Sequence, residues 1–401
     1  MKALILAAGE GRDVVPFTST RPKPMIRIAG RYLLEHTIQK LNECGINDVN
    51  IVVGHMQNKV IDTFQGGGDF GTNIHYVRQQ DARAGIGQAV SEAKDRFIPG
   101  EYFMLIYGDV LASQNIFRHT LQAFGVSRSA VASVNLTPSP EMFGNVYLDP
   151  RMKITRIIEK PLKEHRGNYV LSGVFILPYS FFSVLEEAGN SMELALSQMA
   201  GKNQLNASIW EGGWIDVAYP WDILNANQLL MNEWEKAVID KTVALKGNVT
   251  IEGPVIIEEG VEIRSGTIIQ GPAFIGRNSF IGNNVLIRNF TAVGPESTIG
   301  YGVELKNCIM FGRSTVGRLS FIGDSVIGTG VDIGSGTMTI NRGELGKSVK
   351  TRVHEAVIDT GLKKLGAFVG DDVIIGAGNT IIAGTVINAG VSIPHNHSYP
   401  M

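Results

Sequence analysis

Cysteine is nearly absent from this chain. Two residues in 401, Cys44 and Cys308, lie far apart in sequence. Isolated thiols give neither a disulfide framework nor a zinc spacing, and they fit a reducing cytoplasm. The eight histidines do not cluster at metal-ligand spacing; His395 and His397 are close, but they sit in the C-terminal tail. Charge of one sign is not in excess, since 36 Lys and Arg oppose 38 Asp and Glu for a net charge of −2. A general nucleic-acid surface is therefore not expected. No apolar run reaches the eighteen residues of a membrane span. The first residues run straight into a strand-like segment, with no signal-peptide organisation. What is left, 44% hydrophobic and 18% charged, is long enough for two domains with substantial cores.

Glycine, by contrast, is abundant, with 47 residues concentrated in the second half. The first half alternates two kinds of segment. Ala3–Leu6, Asp48–Val53, Ile74–Val77, Tyr102–Ile106 and Val131–Leu136 read as strands, and Leu33–Cys44, Gly87–Lys94 and Ser113–Phe124 as helices. Strands alternating with helices imply a mostly parallel sheet covered on both faces, with ligands at the carboxyl ends of the strands. The Gly9 turn and Gly108-Asp109 both lie at such ends.

A period of six begins after a segment expected to be a helical connector. Small or branched residues recur from Val249 through Val255, Val261 and Thr267 to Val303, Ile309 and Thr315. A second apolar set follows each by two places, from Ile251 and Ile257 to Leu305 and Phe311. This spacing predicts a parallel β-helix of hexapeptide repeats, three faces per coil, with an aliphatic stack inside. The pattern slips near Arg318 and returns at Ile327. The basic stretch Asn341–Leu365 interrupts it and reads as a projecting loop. Such a β-helix can also be a mere assembly stalk without chemistry.

The first twenty-five residues, MKALILAAGEGRDVVPFTSTRPKPM, carry the most chemistry. A strand feeding Gly9-Glu10-Gly11 lets backbone N–H groups approach a phosphate chain, and Lys23 brings positive charge nearby. The string resembles the signature of the sugar-1-phosphate nucleotidylyltransferases, LAAGxGTRLxPLTxxxPKPM. Other matches run through the first half: Gln79 with Gly85, Phe143-Gly144-Asn145-Val146, Glu159-Lys160-Pro161, Leu171-Ser172-Gly173-Val174-Phe175 and Trp214 to Asn227.

The resemblance implies a Rossmann-like nucleotidyltransferase domain in an α/β fold, followed by a left-handed parallel β-helix. Expected boundaries are 1–228 for the first domain, 229–245 for the connector and 246–401 for the β-helix. The implied substrates are a nucleoside triphosphate and a sugar 1-phosphate. Leu6, Ala8, Gly9, Gly11, Gln79 and Gly85 would bind the nucleotide, and Gly144, Glu159, Lys160 and Gly173 the sugar phosphate. Asp109 and Asp216 match the family's pair of Mg²⁺ ligands. Lys23 would stabilise the triphosphate. The expected assembly is a homotrimer through the β-helix, with no nucleic-acid or membrane partner.

The chain departs from the signature where the family has Thr-Arg: here stand Arg12 and Asp13. An aspartate there sets like charge beside phosphates, so Arg12, or else Arg21, is expected to replace the missing arginine. Leu171 stands where the family has a sugar-binding Asn. The second half resembles the acetyltransferase half of archaeal bifunctional enzymes, in Ser320 to Gly328, Asn341, Lys347, Lys350 and Asp359 to Gly366. The family's histidine base is Arg318 here and its tyrosine is Phe321. Arginine does not act as a base near neutral pH, and phenylalanine has no hydroxyl to donate. Acetyl transfer from acetyl-CoA by the family mechanism is thus expected to be lost or severely weakened. Three readings follow: an active transferase making a nucleotide sugar from a glucose- or N-acetylglucosamine-type 1-phosphate and UTP or dTTP; an impaired paralogue acting as a sugar-nucleotide sensor or regulatory subunit; and a bifunctional enzyme.

Overall fold

The computed structural model describes residues 1–81, 84–137, 139–160, 169–344 and 346–399. Pro161 lies outside them. The chain divides into two compact units. One comprises Met1–Glu10, Pro22–Met25 and Leu33–Asp216; the other comprises Gly11–Arg21, Ile26–Tyr32 and Val217–Met401.

The first unit is built on a nine-stranded sheet. Its strands are β1 (Lys2–Ala7), β2 (Asp48–Val53), β3 (Asn73–Arg78), β4 (Tyr102–Tyr107), β6 (Ala130–Asn135), β7 (Gly144–Leu148), β8 (Ile154–Glu159), β9 (Tyr169–Pro178) and β10 (Leu205–Ile209), while β5 (Val110–Ala112) pairs separately with β11 (Trp214–Asp216). The main order is β8-β7-β9-β4-β1-β2-β3. β1 is parallel to both β2 and β4, so the chain leaves β1 toward one side and returns on the other. That arrangement opens a crevice at the carboxyl ends of β1 and β4. The expected strands and helices are all present within a few residues, including the helices α1 (Leu33–Asn42), α2 (Gln57–Phe64), α3 (Gly85–Ser91), α4 (Ile116–Ser127), α5 (Phe181–Glu187) and α6 (Met192–Gly201).

Apolar runs make these central strands because both faces are covered. Leu4, Leu105 and Phe175 are fully buried in one cluster. Phe103 stacks on Phe182 at 5.0 Å and meets Phe97 at 4.6 Å. Each such ring contributes about 1.5–3 kcal/mol by its burial. Gly108 closes β4 because a Cβ there would lie 2.3 Å from the Leu6 carbonyl oxygen.

The second unit is a left-handed parallel β-helix of three eight-stranded sheets. Val255 pairs with Ala273, 18 residues on, and Ala273 with Thr291. The interior stack runs through Ile257, Ile263, Ile269, Ile275, Ile281 and Ile287. Two coils are one residue shorter, since Ala292 pairs with Ile309 and Ile309 with Val326. The first slip therefore comes before Ile309, earlier than expected near Arg318. It places Cys308 and Met310 in the stack, not Ile309 and Phe311. Adjacent apolar residues hide such a shift from a sequence pattern, because a one-residue slip only exchanges inward and outward faces.

The expected connector, 229–245, is helical only to the end of α7 (Pro220–Met231). Val238–Ile239 and Ala244–Leu245 are already β-helix rungs, paired with Ile256–Ile257 and Glu262–Ile263. The helix itself is packed into this unit, where the Asn227 amide donates to the Phe290 carbonyl at 2.8 Å. The interrupting segment is not simply projecting. Lys350–Val353 and Ala356–Asp359 form a hairpin, and Thr351 is buried, donating to the Gly384 carbonyl at 2.6 Å.

Among the described residues, no helix is long and apolar enough to cross a membrane.

Candidate active site

Three charged side chains converge at the end of β4. Asp109 sits in the turn between β4 and β5. β5 pairs antiparallel with β11 in a register that sets Asp216 opposite Val110. Residues opposite one another in such a ribbon are about 5 Å apart, so the ribbon brings two carboxylates distant in sequence to one place. Lys23, from the short turn Lys23–Met25, completes the group. Its ammonium lies 2.8 Å from Asp109 Oδ2 and 3.9 Å from Asp216 Oδ1. All three remain partly open, with 15%, 34% and 28% of their side chains exposed.

Two neighbouring carboxylates repel unless a cation stands between them. Here the lysine ammonium takes that place. Among the described residues, no group of three or more His, Cys, Asp or Glu could hold a metal ion. A pair of hard oxygen donors nevertheless fits Mg²⁺, which is usually held by one or two carboxylates together with substrate phosphates. The residues present therefore suit that ion, with phosphate oxygens supplying the remaining ligands.

Two cavities share Asp109. The smaller, about 190 Å³, is lined by Leu6, Ala8, Gly9, Gln79, Gly85 and Asp109. These are the residues expected to bind a nucleotide, apart from Gly11. Gln79 follows β3, is nearly buried, and donates its amide to the Gly85 carbonyl at 3.2 Å. The larger, about 590 Å³, is lined by Asp109 and Asp216 together with Gly144, Glu159, Lys160 and Gly173. Its volume suits a ligand of nucleotide-sugar size.

Local structure explains why those residues face the larger cavity. Gly144 of β7 pairs with Glu159 of β8, and a Cβ on Gly144 would lie 2.7 Å from Glu159 Oε2. The glycine thus leaves room for the carboxylate. Desolvation raises the Glu159 pKa; Lys160 offsets part of this and the charge of Glu193 adds to it. Gly173 has φ +75°, a conformation side chains rarely adopt. Trp214 donates its indole N–H to the Ser172 carbonyl at 2.9 Å and meets Phe143 edge-on at 5.1 Å. Leu171 lines the cavity with an apolar side chain.

Gly11 and Arg12 belong to the second unit. The Arg12 carbonyl accepts a hydrogen bond from His354 Nε2 at 3.0 Å. Two of the three residues expected of an acetyl-transfer site are held by neighbours of their own. Asn341 donates to Asp324 Oδ2 at 2.6 Å. Lys347 pairs with Glu344, whose hydrogen bond and charge raise the lysine pKa. Lys350 is exposed on its hairpin strand. None of the three lines either cavity.

Tyr107 and Glu193 are among the lining residues that no sequence motif singled out. Tyr107, the last residue of β4, borders both cavities, and burial, then the charges of Glu159 and Asp109, push its phenol pKa up. Its place beside Gly108-Asp109 could have marked it. Glu193, in the first turn of α6, had no motif to mark it.

The chain is similar to known proteins over both of its units. A family model described as nucleotidyl transferase matches residues 2–233, and one described as the GMPPB C-terminal domain matches residues 269–362. The chain is 36% identical to a bifunctional protein GlmU of Methanococcus maripaludis over 99% of its own length and 94% of the relative's. It is 33% identical to a bifunctional sugar-1-phosphate nucleotidylyltransferase/acetyltransferase of Sulfurisphaera tokodaii, over 97% and 94%. It is also 33% identical to a low-salt glycan biosynthesis nucleotidyltransferase of Haloferax volcanii, over 84% and 94%. Among solved structures, one from Bacillus anthracis assigned as a glucose-1-phosphate thymidylyltransferase aligns with TM-score 0.53 and 26% identity, over 57% of this chain and 94% of that one. A UDP-glucose pyrophosphorylase complexed with UDP-glucose shares the fold at TM-score 0.50 and 22% identity, over 56% and 96%.

Proposed function

We propose, from the premise that this chain belongs to the nucleotidyl transferase family, that it is a sugar-1-phosphate nucleotidylyltransferase. It makes a nucleotide sugar and pyrophosphate from a hexose 1-phosphate of glucose or N-acetylglucosamine type and UTP or dTTP. The observation that carries this reading is Lys23 against Asp109 and Asp216, with Asp109 lining both cavities and Asp216 the larger one.

The reaction asks little covalent work of the protein. A phosphate oxygen of the sugar 1-phosphate attacks the α-phosphorus. The bond from that phosphorus to the β-phosphate bridging oxygen breaks in line, and pyrophosphate leaves. Positioning and charge stabilisation carry the rate. Gln79 and Gly85 hold the pyrimidine, Leu6, Ala8 and Gly9 border the nucleotide, and Lys23 faces the triphosphate. Gly144, Glu159 and Gly173 shape the sugar end, and Lys160 holds the attacking phosphate. Asp109 and Asp216 would hold Mg²⁺, which supplies charge neutralisation when bound.

The β-helix is read as an assembly element, forming a homotrimer in the cytoplasm. The relatives' second activity does not carry over, because Arg318 and Phe321 replace the base and the hydroxyl donor that it needs. A sensor or regulatory-subunit reading is favoured by one observation: Asp13 stands where the signature has its arginine, and Leu171 lines the larger cavity where the family has a sugar-binding asparagine.

Pyrophosphate release with Mg²⁺ and a panel of nucleoside triphosphates and hexose 1-phosphates separates these readings. Turnover with one pyrimidine pair supports the transferase. No turnover with any pair, while a nucleotide sugar raises the thermal midpoint, supports the sensor.

A further inference from the structure

The segment Gly11–Arg21 interrupts the signature between Gly9, which lines the smaller cavity, and Lys23, which meets Asp109. It is gripped by the β-helix unit, to which it belongs. Arg21 pairs with Asp371 Oδ2 and donates to Thr329 Oγ1 at 3.0 Å. The Thr20 hydroxyl donates to the same Asp371 oxygen at 2.6 Å, and the Thr329 N–H donates to the other at 2.8 Å. The pair is nearly enclosed, with 12% of the arginine and 10% of the aspartate side chain exposed. Aromatic contacts reinforce it. The guanidinium lies 4.8 Å from the Phe311 ring centre. Phe17, fully buried, meets Phe311 at 5.1 Å and Phe368 at 6.5 Å. At the start of the segment, His354 from the inserted hairpin holds the Arg12 carbonyl.

This assigns Arg21 a different task from replacing the missing arginine. Its charge is neutralised by a buried partner, and only Pro22 separates it from Lys23. Proline locks its own φ and restricts the residue before it. A displacement at Arg21 is therefore passed to Lys23 with little slack.

We propose that Asp371 is a positioning residue for the nucleoside triphosphate: by holding Arg21 it fixes the backbone from which Lys23 reaches Asp109. The proposal rests on the nucleotidyl-transfer reading. Removing the aspartate charge leaves a buried guanidinium uncompensated, which is strongly unfavourable, so the segment leaves its seat. Misplacement of a positioned group by about 1 Å can cost as much as about 100-fold.

The test uses the full chain with Asp371→Asn and Arg21→Lys, and Asp372→Asn as control on the same rung. Steady-state kinetics and hydrogen exchange over residues 11–23 are read together. The expected result for both test variants is faster exchange over 11–23 and a KM for nucleoside triphosphate raised about tenfold. The KM for sugar 1-phosphate stays within twofold, and Asp372→Asn matches the parent. Faster exchange with an unchanged triphosphate KM overturns the positioning role, as does a fall in kcat alone that tracks a lower thermal midpoint. Unchanged exchange overturns the anchor itself. If the parent has no turnover, the nucleotidyl-transfer reading fails separately. The exchange data then still judge the anchor, and equilibrium binding of the triphosphate judges the positioning by the same tenfold criterion.

Discussion

Asp109 and Asp216 matter because two carboxylates and an ammonium share one small volume. Asp109→Ala or Asp216→Ala should lower kcat by about 10³-fold, the scale of losing a principal electrostatic group in an active site. The thermal midpoint should stay close to that of the parent, since all three groups are partly exposed. Turnover within tenfold of the parent in either variant would remove that aspartate from the assignment. Glu159 supplies a pH signature. Its pKa is raised, mainly by desolvation and in part by Glu193, so its carboxylate is lost at a higher pH than an ordinary glutamate's. As an acceptor for sugar hydroxyls it must be ionised, so the KM for sugar phosphate should climb on acidification. Glu193→Gln removes one cause of the shift and should move that climb to lower pH. A climb that does not move, measured in parallel titrations, would show that Glu159 does not control sugar binding. The raised pKa also means that ionised Glu159 opposes folding: its stabilising contribution is present below its unfolded pKa and is lost as pH rises through the folded value. Asp371 has the opposite sign. Burial pushes its pKa up, but the charge of Arg21 and hydrogen bonds from Arg21, Thr20 and Thr329 outweigh burial and hold it below 3.8. Its contribution is present above that value and is lost as pH falls through the folded one.

At the scale of elements, the β-helix tests inward against outward positions directly. Ile281 is fully buried in the stack, and its neighbour Phe280 is 36% exposed. Ile281→Ala should cost about 2–5 kcal/mol, and Phe280→Ala well under that. Thermal unfolding of both variants checks the order, and equal shifts would contradict the assigned register. This register shows how far sequence patterns reach. The hexad period was legible because one aliphatic position per turn has no substitute inside a narrow coil. The one-residue slip before Ile309 was not, because Cys308, Ile309, Met310 and Phe311 are all apolar. Only the backbone pairing of Val293 with Met310 settles which of them point inward. The same holds at the site. Lys23, Asp109 and Asp216 were legible through family motifs attached to strand ends. The Arg21–Asp371 pair was not, because no local pattern joins residues 350 positions apart.

For the whole molecule, two compact units of different architecture share one chain, and the segments Gly11–Arg21 and Ile26–Tyr32 belong to the second although they lie within the first in sequence. Exposed apolar residues on one β-helix face, among them Ile268, Met338 and Ile340, are consistent with the proposed trimer. Light scattering of the full chain should give three times the 43.5 kDa of one chain, and a monomer mass at micromolar concentration would contradict it. The central claim, nucleotidyl transfer to a sugar 1-phosphate, is tested most directly by phosphorus NMR. The full chain is incubated with Mg²⁺, a pyrimidine nucleoside triphosphate and glucose 1-phosphate or N-acetylglucosamine 1-phosphate. Equal amounts of nucleotide sugar and pyrophosphate are expected, and neither product with Asp216→Ala. No nucleotide sugar from any of these pairs, or nucleoside monophosphate with pyrophosphate in its place, would contradict it.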